Sequence, residues 1–151
     1  MKKEHLEQVV EKVLTHLKES AGTEFKEVGG TPTENSAPVE RKGVVLVRGA
    51  KMALQDFDAD VSLVDYITSR DGASMAAGLM EIRACTFDWE LKYEEVDFVL
   101  EGTLDIVVGG KTYRGYKGDC IYIPKNTKIK FSTPDRALFF YVTYPADWAA
   151  Q

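Results

Sequence analysis

From Gly43 onward the chain is written in short apolar runs rich in Val, Ile, Tyr and Phe, each closed by turn residues within about eight to twelve positions. No feature constrains the fold more. Such a pattern builds a β-sandwich or barrel, and no stretch after Gly43 carries the helical periodicity of a crossover connection, so the strands pair antiparallel. We read strands at 44–47, 61–67, 74–82, 93–100, 103–108, 112–116, 120–123, 128–132 and 137–144. Gly72, Glu101-Gly102, Gly109-Gly110, Gly118, Asn126 and Pro134 mark the turns between them.

Residues 1–20 follow a different rule. Leu6, Val9, Val10, Val13, Leu14 and Leu17 fall on one helical face, and Gly22 is a suitable stop, which predicts an amphipathic helix. Residues 21–42, rich in Gly, Pro, Thr, Ser and Glu and without periodicity, predict a flexible linker, leaving 43–151 as the β domain. The helix stripe needs a partner. It either folds back over the β domain or docks on another protein.

Composition narrows the function classes. At 151 residues, 44% of them hydrophobic, the chain can bury one core. Nineteen Lys and Arg against twenty-four Asp and Glu leave a net charge of −5, which repels nucleic acid and anionic membranes. No apolar run approaches the ~18 residues of a membrane span, and the charged amino terminus lacks the apolar segment of a secretory leader. Cys85 and Cys120 form no disulfide framework, so the expected compartment is the reducing cytoplasm.

Two apparent motifs dissolve on inspection. Gly110-Lys111-Thr112 lacks the glycine that a phosphate loop needs five positions earlier, where Asp105 stands, and a strand pattern follows instead of a helix. A Gly-Gly hairpin accounts for it. Ser74 sits among small residues as in a nucleophile elbow, but no helix follows and no histidine lies after His16 to activate it.

The segments YEEVDFVLEG (93–102) and GDCIYIPKN (118–126) resemble the two motifs of the cupin superfamily. Glu95 and Gly102 match the end of the first motif, and Gly118 and Pro124 the start of the second. The resemblance implies an antiparallel jelly-roll β-barrel. The histidine positions hold Asp88 and Glu90, or Trp89 and Leu91 in the shorter spacing, and Ile129 in the second motif. Only Glu95 remains of four ligands, so no histidine-ligated metal is expected and oxygenase chemistry fits poorly.

Within that superfamily, DGASMAAGLMEI (71–82), FDWELKYEEVDFVLEGTLDI (87–106), GDCIYIPKNTKIKFSTP (118–134) and FFYVTYPADW (139–148) resemble the EutQ family of ethanolamine-utilisation proteins. That resemblance implies work with a bacterial microcompartment and an acetate kinase activity interconverting acetyl phosphate and ADP with acetate and ATP. It also makes residues 1–20 similar to the peptides that draw cargo into microcompartment shells.

If Glu95 points inward as in the family, the two-residue period of a strand puts Tyr93, Asp97 and Val99 on the same face. Two carboxyls and a phenol buried together need a cation, a ligand or one another. Glu95 and Asp97 are the candidate metal or acid-base residues, suited to Mg²⁺ with ATP or ADP, and Tyr93 the candidate ligand-orienting residue. A small carboxylate or acyl phosphate is the expected ligand. The opposite face carries Val96, Phe98 and Leu100, which predicts cover by a second subunit in a homodimer, or by the helix. Three function classes remain open: phosphotransferase, noncatalytic assembly or ligand-binding factor, and metal-dependent isomerase or oxygenase.

Overall fold

The computed structural model describes residues 43–148. The expected helix at 1–20, the linker at 21–42 and the last three residues lie outside the described residues. Nine antiparallel strands form one curled sheet: β1 (Gln55–Asp58), β2 (Val61–Ile67), β3 (Ala76–Arg83), β4 (Thr86–Leu91), β5 (Glu94–Val108), β6 (Lys111–Tyr116), β7 (Cys120–Ile123), β8 (Thr127–Ser132) and β9 (Arg136–Tyr144). Their order is β1-β2-β3-β9-β5-β8-β4, with β6 and β7 each also paired to β5.

β5 organises the barrel. Its first half pairs with β9 and β7, its second with β6 and β8. The sequence predicts two strands here, split by a turn at Glu101-Gly102; instead one strand runs through and changes direction at a bulge between Val99 and Glu101. Gly102 has φ +73°, and a Cβ there would lie 1.8 Å from the Arg136 carbonyl oxygen. Only glycine fits. Gly109 and Gly110, both at positive φ, close the β5–β6 hairpin between Val108 and Lys111.

One further expected strand is absent, and two observed strands were not expected. Residues 44–47 form none: Val44 and Leu46 are exposed and pair with no ladder, so apolar β-branched character was not enough without a neighbouring edge. β1 was unexpected because its polar sequence QDFD lacks strand propensity, and it forms by completing the edge of β2. β4 was unexpected too, although Phe87, Trp89 and Leu91 alternate with Asp88 and Glu90 and pair with Phe131, Ile129 and Thr127 of β8.

The core fills the barrel. Ile82, Val99, Leu104, Ile106 and Phe139 are wholly or almost wholly buried, and Phe131 stacks on Phe139 with ring centres 5.9 Å apart. On β8, Lys128 and Lys130 face solvent on either side of buried Ile129, as the alternation predicts, with Lys130 2.6 Å from Asp88.

Candidate functional site

The inward face of β5 is as the period-two alternation predicts. Glu95, Asp97 and Val99 are buried and Glu94 and Phe98 exposed, while Tyr93, in the bend just before the strand, is also buried. Across the ladder, Glu95 pairs with Thr143 and Asp97 with Tyr141. On β9 Ala137, Phe139, Tyr141 and Thr143 point inward in turn, so two adjacent strands bring acids, a phenol and a hydroxyl to one end of the barrel.

There a cavity of about 460 Å³, its open mouth included, extends into the barrel. Its walls are largely aromatic: Phe57 from β1, Phe87 and Trp89 from β4, Phe131 from β8, and Tyr93, Tyr141 and Trp148. The Trp148 ring lies 5.5 Å from Tyr93 and 6.3 Å from Trp89. Its position follows from the Ala146 N–H, which donates to the Ser74 carbonyl at 2.9 Å and holds the carboxyl-terminal segment against the barrel. Ser74 therefore acts through its backbone, not as a nucleophile. Tyr141 reaches across β3 to donate to Asp65, a path open because Gly78 has no side chain: a Cβ there would lie 2.5 Å from the Tyr141 oxygen.

Glu95 and Thr143 line the cavity, whereas Asp97 lies beneath them and is not part of the lining. That corrects the expectation that Asp97 borders the pocket: β5 curves, and two residues further along the strand is already inside the core. Both Asp97 carboxyl oxygens and the Thr143 hydroxyl are buried without a hydrogen-bond partner. Two carboxylates cannot donate to each other, so one proton between them changes the balance. Burial, and then the Glu95 charge, push Asp97 well above the usual carboxyl range, so it holds that proton. Burial raises Glu95 to about 7 against the lowering effect of its neighbours Asp97 and Tyr93. The Tyr93 oxygen accepts from Trp89 Nε1 at 2.8 Å, which fixes the phenol and aims its proton at Glu95. Burial in turn raises Tyr93 and keeps it neutral.

The donor set discriminates among metals. No cluster of three His, Cys, Asp or Glu able to hold an ion occurs among the described residues. The unpartnered oxygens of Asp97, with Glu95 and the Thr143 hydroxyl, are hard donors of the kind Mg²⁺ takes while keeping waters or phosphate oxygens, and unlike those a redox metal prefers. The structure thus brings Tyr93, Glu95 and Asp97 together as expected. Thr143 and Tyr141 escaped the sequence reading, although the alternation of FFYVTY on β9 carried the signal. Cys120 is exposed and Cys85 only half-buried, neither of them near the cavity lining.

A family model described as "Ethanolamine utilisation protein EutQ" matches residues 1–150. The chain belongs to the EutQ family. The match takes in residues 1–42 as well as the β domain whose segments carry the motif resemblance. A EutQ relative from Clostridioides difficile strain 630, named "Acetate kinase EutQ", is 49% identical over 87 residues, covering 58% of this chain and 55% of that protein. The relative of the same name from Salmonella typhimurium is 39% identical over 146 residues, covering 93% of this chain and 61% of that one. The chain therefore spans little more than half the length of these EutQ relatives. The solved structure of the Clostridium difficile EutQ protein superposes with TM-score 0.59 at 48% identity, over 62% of this chain and 69% of that one. An RmlC-like cupin from Shewanella frigidimarina shares the fold alone: TM-score 0.60 at 14% identity, over 70% of this chain and 95% of that one. The barrel is a cupin. Among the described residues no helix is long and apolar enough to cross a membrane.

Proposed function

We propose that the chain is a phosphotransferase of the ethanolamine-utilisation set, an acetate kinase interconverting acetyl phosphate and ADP with acetate and ATP. One observation of the site carries this reading: Glu95 lines an aromatic-walled cavity, and just beneath it lies Asp97 with both carboxyl oxygens buried and unpartnered. The name borne by the relatives supports it. Glu95 and Asp97 would hold Mg²⁺, which when bound would offset phosphoryl charge. Tyr93, fixed by Trp89, orients the acyl end, and the rings of Phe87, Phe131 and Trp148 shield it from hydrolysis. Purified protein given acetyl phosphate, ADP and Mg²⁺ forms ATP, and Asp97→Asn forms far less; wild type without activity across several divalent metals would overturn the reading.

A second reading rests on a specific observation. The described residues lining the cavity include no Lys or Arg, although phosphoryl transfer ordinarily draws on cationic side chains as well as a metal. On this reading the cavity binds a small ligand without chemistry. Either way we place the chain at a bacterial microcompartment, with residues 1–20 docking on shell or cargo proteins and a second copy covering the outer face around Phe98. Residues 1–20 fused to a fluorescent protein would then concentrate it in ethanolamine shells, and a diffuse signal would remove the docking role.

A further inference from the structure

The cavity contains two recognition elements at once. Seven aromatic side chains dominate its walls, and one buried carboxyl, Glu95, stands at its base beside the unpartnered Thr143 hydroxyl. The protonated acid Asp97 lies just below, and no basic residue among the described lining residues offsets the Glu95 carboxylate. An anion entering alone meets like charge. A neutral apolar molecule satisfies the rings but leaves the hydroxyl and carboxyl unmet. A hydrated metal ion meets the oxygens but makes no use of seven rings.

We propose that this cavity is a receptor for a small organic ammonium cation, its N–H groups donating to Glu95 and Thr143 and its carbon chain lying against the rings of Trp89, Tyr93 and Trp148. Apolar contact with the rings and a charge-assisted hydrogen bond then act on one ligand, the hydrogen bond strengthened by exclusion of water. This deepens the ligand-binding reading of the cavity and does not depend on phosphoryl transfer.

Both tryptophans of the chain, Trp89 and Trp148, line the cavity, so intrinsic fluorescence reports its occupancy. The full chain is titrated at constant ionic strength with propylammonium chloride, n-butanol as its neutral isostere, and sodium acetate. The expected result is a saturable change with propylammonium at a concentration about tenfold or more below that needed for n-butanol, and none with acetate while divalent metal is withheld. Glu95→Gln removes the preference; Thr143→Val, which keeps the side-chain shape, reduces it several-fold and serves if the first variant does not fold. Equal response to n-butanol would overturn the inference while leaving a ligand-binding cavity in place. Response to none of the three would overturn both.

Discussion

Glu95 faces Thr143 directly across the β5–β9 ladder, and the Thr143 hydroxyl, buried at that contact, has no hydrogen-bond partner. A fold that needed only a packed barrel would place valine there. Thr143→Val removes an unmet hydroxyl without changing the shape of the side chain, so it should stabilise the ligand-free protein by about 1 kcal/mol. Chemical denaturation with unchanged slope and a raised midpoint checks this; a loss of stability would mean the hydroxyl is already satisfied.

The acidic pair makes stability depend on pH in a direction that can be worked out. Burial raises the Glu95 pKa from 4.5 to about 7 in the folded protein, so the folded state holds the proton more tightly than the unfolded chain does. This group's contribution is greatest below about pH 4.5 and declines as pH rises through 7. Asp97, also raised by burial, acts in the same sense. Relative to wild type, Glu95→Gln should therefore gain stability between pH 5 and pH 8, by an amount on the order of a few kcal/mol. Thermal melting of both proteins at the two pH values checks it, and parallel melting temperatures would place Glu95 in an ordinary solvated setting.

The outer face of the same strand makes a separate prediction. Val96 lies opposite Val142, and Phe98 opposite Phe140, whose ring is 6.2 Å from Tyr66. Phe98 is 41% exposed and Tyr122 on the adjoining β7 58%. This continuous apolar band across β2, β9, β5 and β7 is the face assigned to a second copy. Wild type should elute from gel filtration as a dimer and Phe98→Glu as a folded monomer; a wild-type monomer at micromolar concentration would remove that assignment.

How far these features were legible in the sequence depends on which physical signal each one uses. Side-chain alternation is local, so the inward set Tyr93, Glu95, Asp97 and the Gly109-Gly110 hairpin could be read directly. Edge pairing is not local: β1 forms only because β2 offers an edge, and 44–47 stays unpaired for want of one. The same limit hid the bulge between Val99 and Glu101, because Glu101-Gly102 looks like a turn until the close approach of the Arg136 backbone to Gly102 is known. Strand curvature explains why Asp97 leaves the cavity lining, and tertiary closure why Tyr141 and Thr143 join Glu95. The cavity as an aromatic enclosure was invisible for that reason, its rings coming from β1, β4, β8, β9 and the segment beyond.

On the proposed function, the acidic pair of Glu95 and Asp97 is the chemical centre of this chain. The most direct test is the initial rate of ATP formation from acetyl phosphate and ADP with Mg²⁺ well below saturation, measured from pH 5.5 to 8.5 for wild type and Glu95→Gln. Because a bound divalent ion needs Glu95 ionised, the wild-type rate should rise through about pH 7 and level off above it, and the variant should lose both most of the rate and that rise. A variant with the wild-type rate and the same pH profile would contradict the account.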